Sequence, residues 1–168
     1  FTGPFSDFFC NFGGGGSTLS LVLLMMFKGK SERMKKLGKL SIVPGIFGIN
    51  EMVIFGLPVV LNPIIAIPFL LVPLVNTILA TAATLLHIIP RTTGVLLPWT
   101  TPLFFSGWLA TGSIIAGFFQ ILLVAIGCLI YYPFFKILDT QYLKDETKPI
   151  EQNEKDDLED ISLDDISF

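Results

Sequence analysis

Charged residues are scarce in this 168-residue sequence. They make up 15% of it, whereas hydrophobic residues make up 52%, and soluble domains carry roughly 25% charged residues. Between Leu40 and Leu138 the charged side chains are Glu51, Arg91 and Lys136 alone. The mean hydropathy of +0.71 agrees with this distribution. An ordinary water-soluble domain is therefore excluded, and the composition is typical of a membrane protein.

Histidine and cysteine are rarer still, with one His and two Cys in the chain. His87, Cys10 and Cys128 are far apart in the sequence and form neither a metal-ligand nor a disulfide pattern. The sequence also lacks a Walker loop, an HExxH motif and a GxSxG motif, which carry phosphate, zinc and nucleophile chemistry in many enzymes. We therefore predict no metal and no cofactor, and motifs indicate no enzyme class.

The charges that are present form two blocks, of which the first is basic. It occupies segment 28–39 and consists of Lys28, Lys30, Arg33, Lys35, Lys36 and Lys39 beside one acid, Glu32. A short loop rich in Lys and Arg next to an apolar span stays on the cytoplasmic side of a membrane. No aromatic residue interleaves with these charges, so nucleic-acid binding is not favoured. We predict a cytoplasmic loop here and no nucleic-acid partner.

The second block is acidic and holds most of the fourteen Asp and Glu residues, in 139–168. High charge with few aromatic residues disfavours a packed core. We therefore predict an acidic, mostly disordered cytoplasmic tail over 139–168, with disorder after about Lys144, and a membrane domain over 1–138. The alternative for the tail is a docking peptide.

Long apolar stretches predict the membrane spans, because a spanning helix needs about 20 apolar residues. Candidates are 8–27, which contains four successive glycines, 64–89, which contains two prolines, and 104–132. The predicted fold class is an all-α membrane protein with about three transmembrane helices plus a re-entrant hairpin, part of a larger polytopic transporter. We interpret the chain as the C-terminal part of a longer polypeptide.

Segment 40–63 predicts the re-entrant hairpin. It is apolar enough to enter a bilayer, but it contains Pro44, Pro58 and Pro63 as well as several glycines. Proline removes a backbone donor and clashes with the preceding turn. Non-helical backbone at membrane depth is tolerated only where protein buries it or a cavity adjoins it. We expect the tip of the hairpin at Gly48 to Met52.

Glu51 is the first candidate site residue, because an acid in the middle of a membrane helix costs about 2.5 to 3.5 kcal/mol on insertion scales and is usually functional. Its neighbour Asn50 offers both a donor and an acceptor. A carboxylate beside an amide suits a polyhydroxyl ligand such as a sugar. The alternative is that Glu51 only pairs with a cation such as Arg91.

Two further candidates flank the loop before the last span. Trp99 is either an anchor at the membrane interface or a flat apolar surface for a sugar ring. Arg91 is the only basic residue near this loop and is a candidate substrate contact.

Three segments together resemble one family. GINEMVIFGLPVVLNPIIAIPF, at 48–69, resembles the hallmark INEPxIFGLPxVLNPxxxxPF of the membrane component, IIC, of the sugar phosphotransferase system in its lactose, cellobiose and diacetylchitobiose family. PRTTGVLLPWTTP and YYPFFKILD resemble the stretches around the family's final helix, and FGGGGSTLSLVLL resembles its glycine segment. The hallmark matches are Ile49, Asn50, Glu51, Ile54, Phe55, Gly56, Leu57, Pro58, Asn62, Pro63, Pro68 and Phe69.

The resemblance implies a homodimeric permease in the bacterial plasma membrane, with a cytoplasmic C-terminus and lipid around it. It implies uptake of a disaccharide that a IIB partner, with IIA upstream, phosphorylates at the 6-hydroxyl. Carried over residue by residue, it makes Glu51 the catalytic and sugar-contacting acid, with Asn50 and Trp99 as further contacts and Arg91 at a matching position. Met52 departs from the family, which usually has Pro there.

The residues alone leave other functions open. A membrane enzyme that acts on a lipid-linked sugar, with Glu51 as its base, would show the same apolar composition and the same isolated acid. An inactive truncated remnant is the third possibility.

Overall fold

The computed structural model describes Phe5 and residues 8–59, 61–95, 97–98 and 100–164, with the side chains of the last helix through Thr147. These residues form helices and connecting turns, with no strand among them. The α-helices are, in order, α1 (Thr18–Lys28), α2 (Glu32–Ile46), α3 (Glu51–Gly56), α4 (Pro63–Leu85), α5 (Phe105–Thr111) and α6 (Ile114–Asp164).

Two of these helices are long and apolar enough to cross a membrane: α4, and α6 over Ile114–Thr147. α4 agrees with the predicted span 64–89 and begins where Asn62 Oδ1 accepts a hydrogen bond from the Ile64 amide at 3.0 Å, with Pro63 in the first turn, where proline costs nothing. Its 23 residues extend over about 35 Å, enough for a hydrocarbon core of about 30 Å.

The two long helices run antiparallel. Near the start of α4, Ile65 packs in one hydrophobic cluster with Phe135 and Leu138 of α6. Near its end, Ala80 packs in a second cluster with Leu123. The interior thus consists of two apolar clusters, one at each end of the helix pair.

One face of α4 is apolar and uncovered by the rest of the chain. The exposed side chains follow helical spacing: Ile67, Leu70, Leu74, Ile78 and Leu85. The threonines of α4 do not add a polar surface, because Thr77, Thr81 and Thr84 each donate to the carbonyl four residues earlier, at 2.6 to 2.8 Å. This back-bonding satisfies the hydroxyl within its own helix.

The predicted span 8–27 is wrong as an unbroken helix. The backbone unwinds at the glycines, where Gly13, Gly14 and Gly16 take φ values of 71°, 91° and 81°, and α1 begins only at Thr18. Glycine populates positive φ at no steric cost. We call residues 13–17 the glycine turn.

The predicted span 104–132 is also interrupted. Gly112 adopts φ 71° and ends α5, and α6 starts two residues later. Gln120, which is fully buried, ties the pieces together: its Oε1 accepts from the Phe104 amide at 2.9 Å, and its Nε2 donates to the Phe8 carbonyl at 2.6 Å.

The basic segment is helical rather than a loop. α2 begins at Glu32, because Ser31 caps it by accepting from the Met34 amide at 3.4 Å. Of the segment 28–39, residues 28–31 come before the first residue of α2. The other basic residues lie in the first turns of α2. The prediction of a loop over 28–39 is therefore wrong for most of the segment.

α6 runs past the apolar part of its sequence and into the acidic block, to Asp164. Disorder was predicted after about Lys144, but the helix continues there. One reason is that Asp139 and Glu146 both bind the start of α2, so this part of the acidic block is anchored. The division into a membrane domain and a separate tail stays a prediction.

The chain reverses where the hairpin tip was predicted. α2 ends at Ile46, and the amides of Phe47 and Ile49 both donate to the Pro44 carbonyl at 3.0 Å. α3 then returns along α2, because the Gly56 carbonyl accepts a hydrogen bond from Arg33 Nη2 at 3.3 Å. The predicted break in 40–63 is confirmed, and its position in a bilayer stays a prediction.

Candidate functional site

The glycine turn is held from several directions by polar side chains. Tyr131 of α6 donates its hydroxyl to the Gly16 carbonyl at 2.6 Å. Thr18 Oγ1 donates to the Gly13 carbonyl at 2.7 Å, and Ser17 Oγ donates to the Cys10 carbonyl at 2.5 Å. In an unbroken helix, backbone amides would have paired with these carbonyls. Here the side-chain hydroxyls satisfy them instead.

Asn76 of α4 extends the same network. It is fully buried, and its Nδ2 donates to Ser17 Oγ at 3.1 Å and to the Cys10 carbonyl at 3.4 Å. The sequence alone assigned no role to Asn76. The signal available was that it is the only amide within an otherwise apolar helix.

Asn50 joins the glycine turn to the hairpin. Its Nδ2 donates to the Gly15 carbonyl at 2.8 Å, and 9% of the residue is exposed. Gly14 lies against this amide, since a side chain there would place its Cβ 2.6 Å from Asn50 Cγ. One N–H of the Asn50 amide is therefore used by the protein, which leaves the second N–H and Oδ1 for a ligand.

Glu51 is the first residue of α3 and is exposed. The Asn50 carbonyl before it accepts from the Val53 and Ile54 amides at 3.0 Å, which fixes the start of the helix. No described residue encloses the Glu51 carboxylate, so these residues do not form the cavity expected around it. An enclosed site stays a prediction for the permease.

Of the other two predicted site residues, the structure describes Arg91 alone. Arg91 is exposed in the connection between α4 and α5, and it forms no ion pair with Glu51. Within the described part of the chain the single ion pair joins Lys35 and Glu32 at 4.0 Å. The alternative of a Glu51–Arg91 pair is therefore wrong for this structure. Trp99 lies outside the described residues.

A shallow cleft opens beside the glycine turn. Gly13, Gly48 and Leu103 line it, and Asn11, Thr101 and Ser106 supply its polar atoms. The cleft does not include Asn50 or Glu51. We base the candidate site on the hairpin rather than on this cleft, because the hairpin carries the isolated acid.

The site lies between the two apolar clusters. The glycine turn contacts α4 at Asn76 and α6 at Tyr131, where one cluster gives way to the other along both helices. α1 and α3 both begin beside this level, and the first turn of a helix leaves amide donors without intrahelical partners. Two interrupted helices that start at one place, half-way along the spans, are typical of transporter binding sites.

Comparison with known proteins shows which family the chain resembles. A model of the family "Phosphotransferase system, EIIC" matches residues 1–73, and those residues include the glycine turn and the hairpin. The crystal structure of the transporter ChbC, the IIC component of the N,N'-diacetylchitobiose-specific phosphotransferase system, superimposes with a TM-score of 0.85 at 44% identity over 87% of this chain. Over most of its length this chain is therefore similar to EIIC components.

Curated relatives of this chain are likewise IIC or IICB components of phosphotransferase systems. The lichenan permease IIC component of Bacillus subtilis is 44% identical over 87% of this chain, and the cellobiose-specific EIIC component of Geobacillus stearothermophilus is 47% identical over 86% of it. The lactose-specific EIICB component of Staphylococcus aureus strain N315 is 40% identical over 87% of it.

This chain spans between a quarter and a third of the length of the relatives it matches: 32% of the lichenan and cellobiose proteins, 26% of the lactose protein and 34% of the ChbC chain. Glu51 and Asn50 lie inside the range that the family model covers, whereas Arg91 and Trp99 lie beyond it. The family model ends at residue 73, before α5 and α6. The ChbC superposition extends to these two helices, because it covers 87% of the chain.

Proposed function

We propose that this chain forms part of the sugar site of a phosphotransferase permease for a disaccharide of the cellobiose, chitobiose or lactose type. The relatives support this substrate class by their names, which specify lichenan, cellobiose, lactose and diacetylchitobiose. The membrane-enzyme alternative, acting on a lipid-linked sugar, has no comparable support.

The observation that carries the proposal is the hydrogen bond from Asn50 Nδ2 to the Gly15 carbonyl. It fastens the hairpin turn to the glycine turn and so holds the first turn of α3 at mid-height beside the helix pair. Glu51 follows Asn50 directly and stays open to a ligand. The backbone from which the Glu51 carboxylate extends is thereby held in place.

The chemistry follows from this arrangement. In the proposed reaction the sugar 6-hydroxyl oxygen attacks the phosphorus of a phosphocysteine on the IIB partner. The sulfur–phosphorus bond breaks, the cysteine leaves as thiolate, and the hydroxyl proton passes to Glu51. Phosphoryl transfer depends mainly on such positioning and on a base for the attacking hydroxyl. Asn50 holds the base in place and offers its Oδ1 to the sugar.

Trp99 and Arg91 complete the proposed contacts. An indole face stacks well on the apolar face of a sugar ring, and a guanidinium donates several hydrogen bonds to hydroxyl oxygens. In this proposal both reach the sugar from the connection between α4 and α5, on the far side of the site from the basic segment.

Localisation in the plasma membrane is supported by the exposed apolar face of α4, which lipid would cover. The Lys- and Arg-rich start of α2 favours the cytoplasmic side, and Asp139 and Glu146 place α6 next to it. We therefore propose a cytoplasmic C-terminus. The complete permease would act as a homodimer with IIB, and with IIA upstream of it.

The first prediction tests the base. In the permease expressed from its complete reading frame, Glu51→Gln should lower IIB-dependent phosphorylation of labelled cellobiose or chitobiose by about 100-fold or more, the usual contribution of a general base. Membrane abundance should change little, because the side chain is exposed and makes no ion pair with another described residue. Glu32→Gln, which changes an exposed acid in α2, is the control.

Normal uptake by Glu51→Gln would remove this residue from the mechanism. Turnover of a lipid-linked sugar in detergent without IIB would favour the membrane-enzyme alternative instead. Absence of all sugar binding by the unmodified complete protein would indicate an inactive remnant.

A further inference from the structure

The start of α2 is bound by two carboxylates of α6. Asp139, which is buried, accepts from the Lys30 amide with both oxygens, at 3.0 and 3.1 Å, and from the Ser31 amide at 3.1 Å. These amides precede or begin the helix and have no partner within it. A negative charge at this end also interacts favourably with the helix dipole.

Glu146 binds the same helix start, at residues 31–33. Its carboxylate accepts from Ser31 Oγ at 2.7 Å, from the Arg33 amide at 2.9 Å and from the Glu32 amide at 3.2 Å. Asp139 and Glu146 are seven residues apart, so they lie on one face of α6. The two carboxylates therefore fix how α2 is placed along α6.

Tyr142 lies on that face between them and contacts the Arg33 side chain. The guanidinium carbon of Arg33 lies 4.7 Å from the centre of the Tyr142 ring, within the range of a cation–π interaction. The same guanidinium donates from Nη2 to the Gly56 carbonyl at 3.3 Å. Arg33 thus connects α6 to the last residue of α3.

α3 depends on such a contact because it has only six residues, and isolated helices of that length are not stable. The carbonyls of its last turn have no helical partners, so the guanidinium supplies one. The approach is close, since a Cβ at Gly56 would lie 2.6 Å from Leu37 Cδ1 of α2. Through this short helix, the position of Gly56 determines the position of Glu51.

We propose that Arg33 is a positioning residue for the Glu51 site, fixing α3 from its C-terminal end while Tyr142 holds the guanidinium. Arg33 itself does not touch the sugar. The proposal rests on the proposed role of Glu51. The two ends of α3 are then both fixed, by Asn50 at the glycine turn and by Arg33 at α6.

The functional test uses the complete permease with IIB. Arg33→Ala should lower the maximal rate of disaccharide phosphorylation about tenfold, as expected when a reacting group is displaced, with a smaller change in the apparent KM. Arg33→Lys should recover part of the rate, because lysine keeps a donor but loses the planar stacking. Lys39→Ala, which removes an exposed charge from the same helix, should leave the rate unchanged.

Two comparisons separate positioning from general stability. Tyr142→Phe keeps the ring and should behave as the unmodified protein, whereas Tyr142→Leu should reproduce the effect of Arg33→Ala, and the double variant should not add the two losses. In a Glu51→Gln background, Arg33→Ala should cause no further loss. Additive losses in either case would overturn the proposal.

The position of α3 is measured independently of transport. A cysteine at Met52, which is exposed at the start of α3, should react with a maleimide at a different rate in Arg33→Ala and at the same rate in Lys39→Ala. The protein without the Met52 change sets the background from Cys10 and Cys128. Unchanged labelling in Arg33→Ala would overturn the proposal.

These readouts distinguish the two hypotheses. Full activity of Glu51→Gln together with altered Met52 labelling in Arg33→Ala would refute the function of Glu51 and keep Arg33 as the residue that holds α3. If Arg33→Ala fails to reach the membrane, Arg33→Lys and Tyr142→Leu carry the same comparison.

Discussion

Gly16 and Gly94 adopt nearly the same positive φ, 81° and 80°, in very different surroundings. A Cβ at Gly16 would lie 2.7 Å from Phe69 Cγ, whereas a Cβ at Gly94 would meet nothing within 4 Å. The pair therefore separates two reasons for a glycine: the backbone conformation and the close approach of a ring.

This difference gives a stability prediction. Gly94→Ala should cost about 1 kcal/mol, since it adds only the strain of positive φ. Gly16→Ala should cost about 2 to 4 kcal/mol, because the Phe69 ring must also move. The midpoint of thermal unfolding of the detergent-solubilised permease measures both. Equal shifts in the two variants would show that Phe69 does not pack on the glycine turn.

Residue types pointed to candidate site residues but not to their contacts. The isolated acid and amide at 50–51 were recognisable because charge is expensive in an apolar segment. The engagement of the Asn50 amide with Gly15 was not, since it joins residues far apart in the sequence. Arg91 was assigned by position alone, and in the structure it forms no ion pair with Glu51.

At the scale of elements, α1 and α2 pack closely through a glycine. A Cβ at Gly38 would lie 2.9 Å from both the Met25 Cβ and the Met26 amide nitrogen. One of these atoms belongs to the backbone and cannot rotate away. Gly45, in the same helix, would place its Cβ at an ordinary 3.7 Å from Leu19 Cδ1.

We therefore expect opposite effects from the same substitution in one helix. Gly45→Ala should stabilise α2 by up to about 1 kcal/mol through helix propensity. Gly38→Ala should lose about 1 to 3 kcal/mol through overpacking, which exceeds that gain. Thermal unfolding of the two variants in detergent gives the comparison, and a stabilised Gly38→Ala would contradict the close packing of α1 on α2.

Element boundaries show where sequence reasoning failed and why. Apolar length located α4 well, because its prolines are accommodated within the helix. Apolar length merged the glycine turn with α1, and it merged α5 with α6. The reason is that hydropathy does not report a change of backbone conformation. Gly13 and Gly112 adopt positive φ, and contacts such as that of Gln120 with the Phe104 amide join the pieces, neither of which a hydropathy pattern shows.

At the scale of the whole chain, the contacts of α6 determine which ends lie together. Asp139 and Glu146 bind residues 30–33, so the C-terminal part of α6 lies beside the basic segment. α4 runs antiparallel to α6, which brings the connection between α4 and α5 to the opposite end. If α4 and α6 span the membrane, these two ends face different compartments.

Labelling of single introduced cysteines in intact cells checks this arrangement. Cysteines at Lys36 and Lys144, both exposed, should react only after the membrane is permeabilised, because positive charge keeps the basic segment in the cytoplasm. A cysteine at Gly94 should react with an impermeant maleimide from outside. Labelling of Lys36 and Lys144 from opposite sides would contradict the contact between α2 and α6. Labelling of all three cysteines from one side would contradict the assignment of α4 and α6 as membrane spans. If every cysteine labelled from the side opposite to the expected one, only the cytoplasmic assignment would be contradicted.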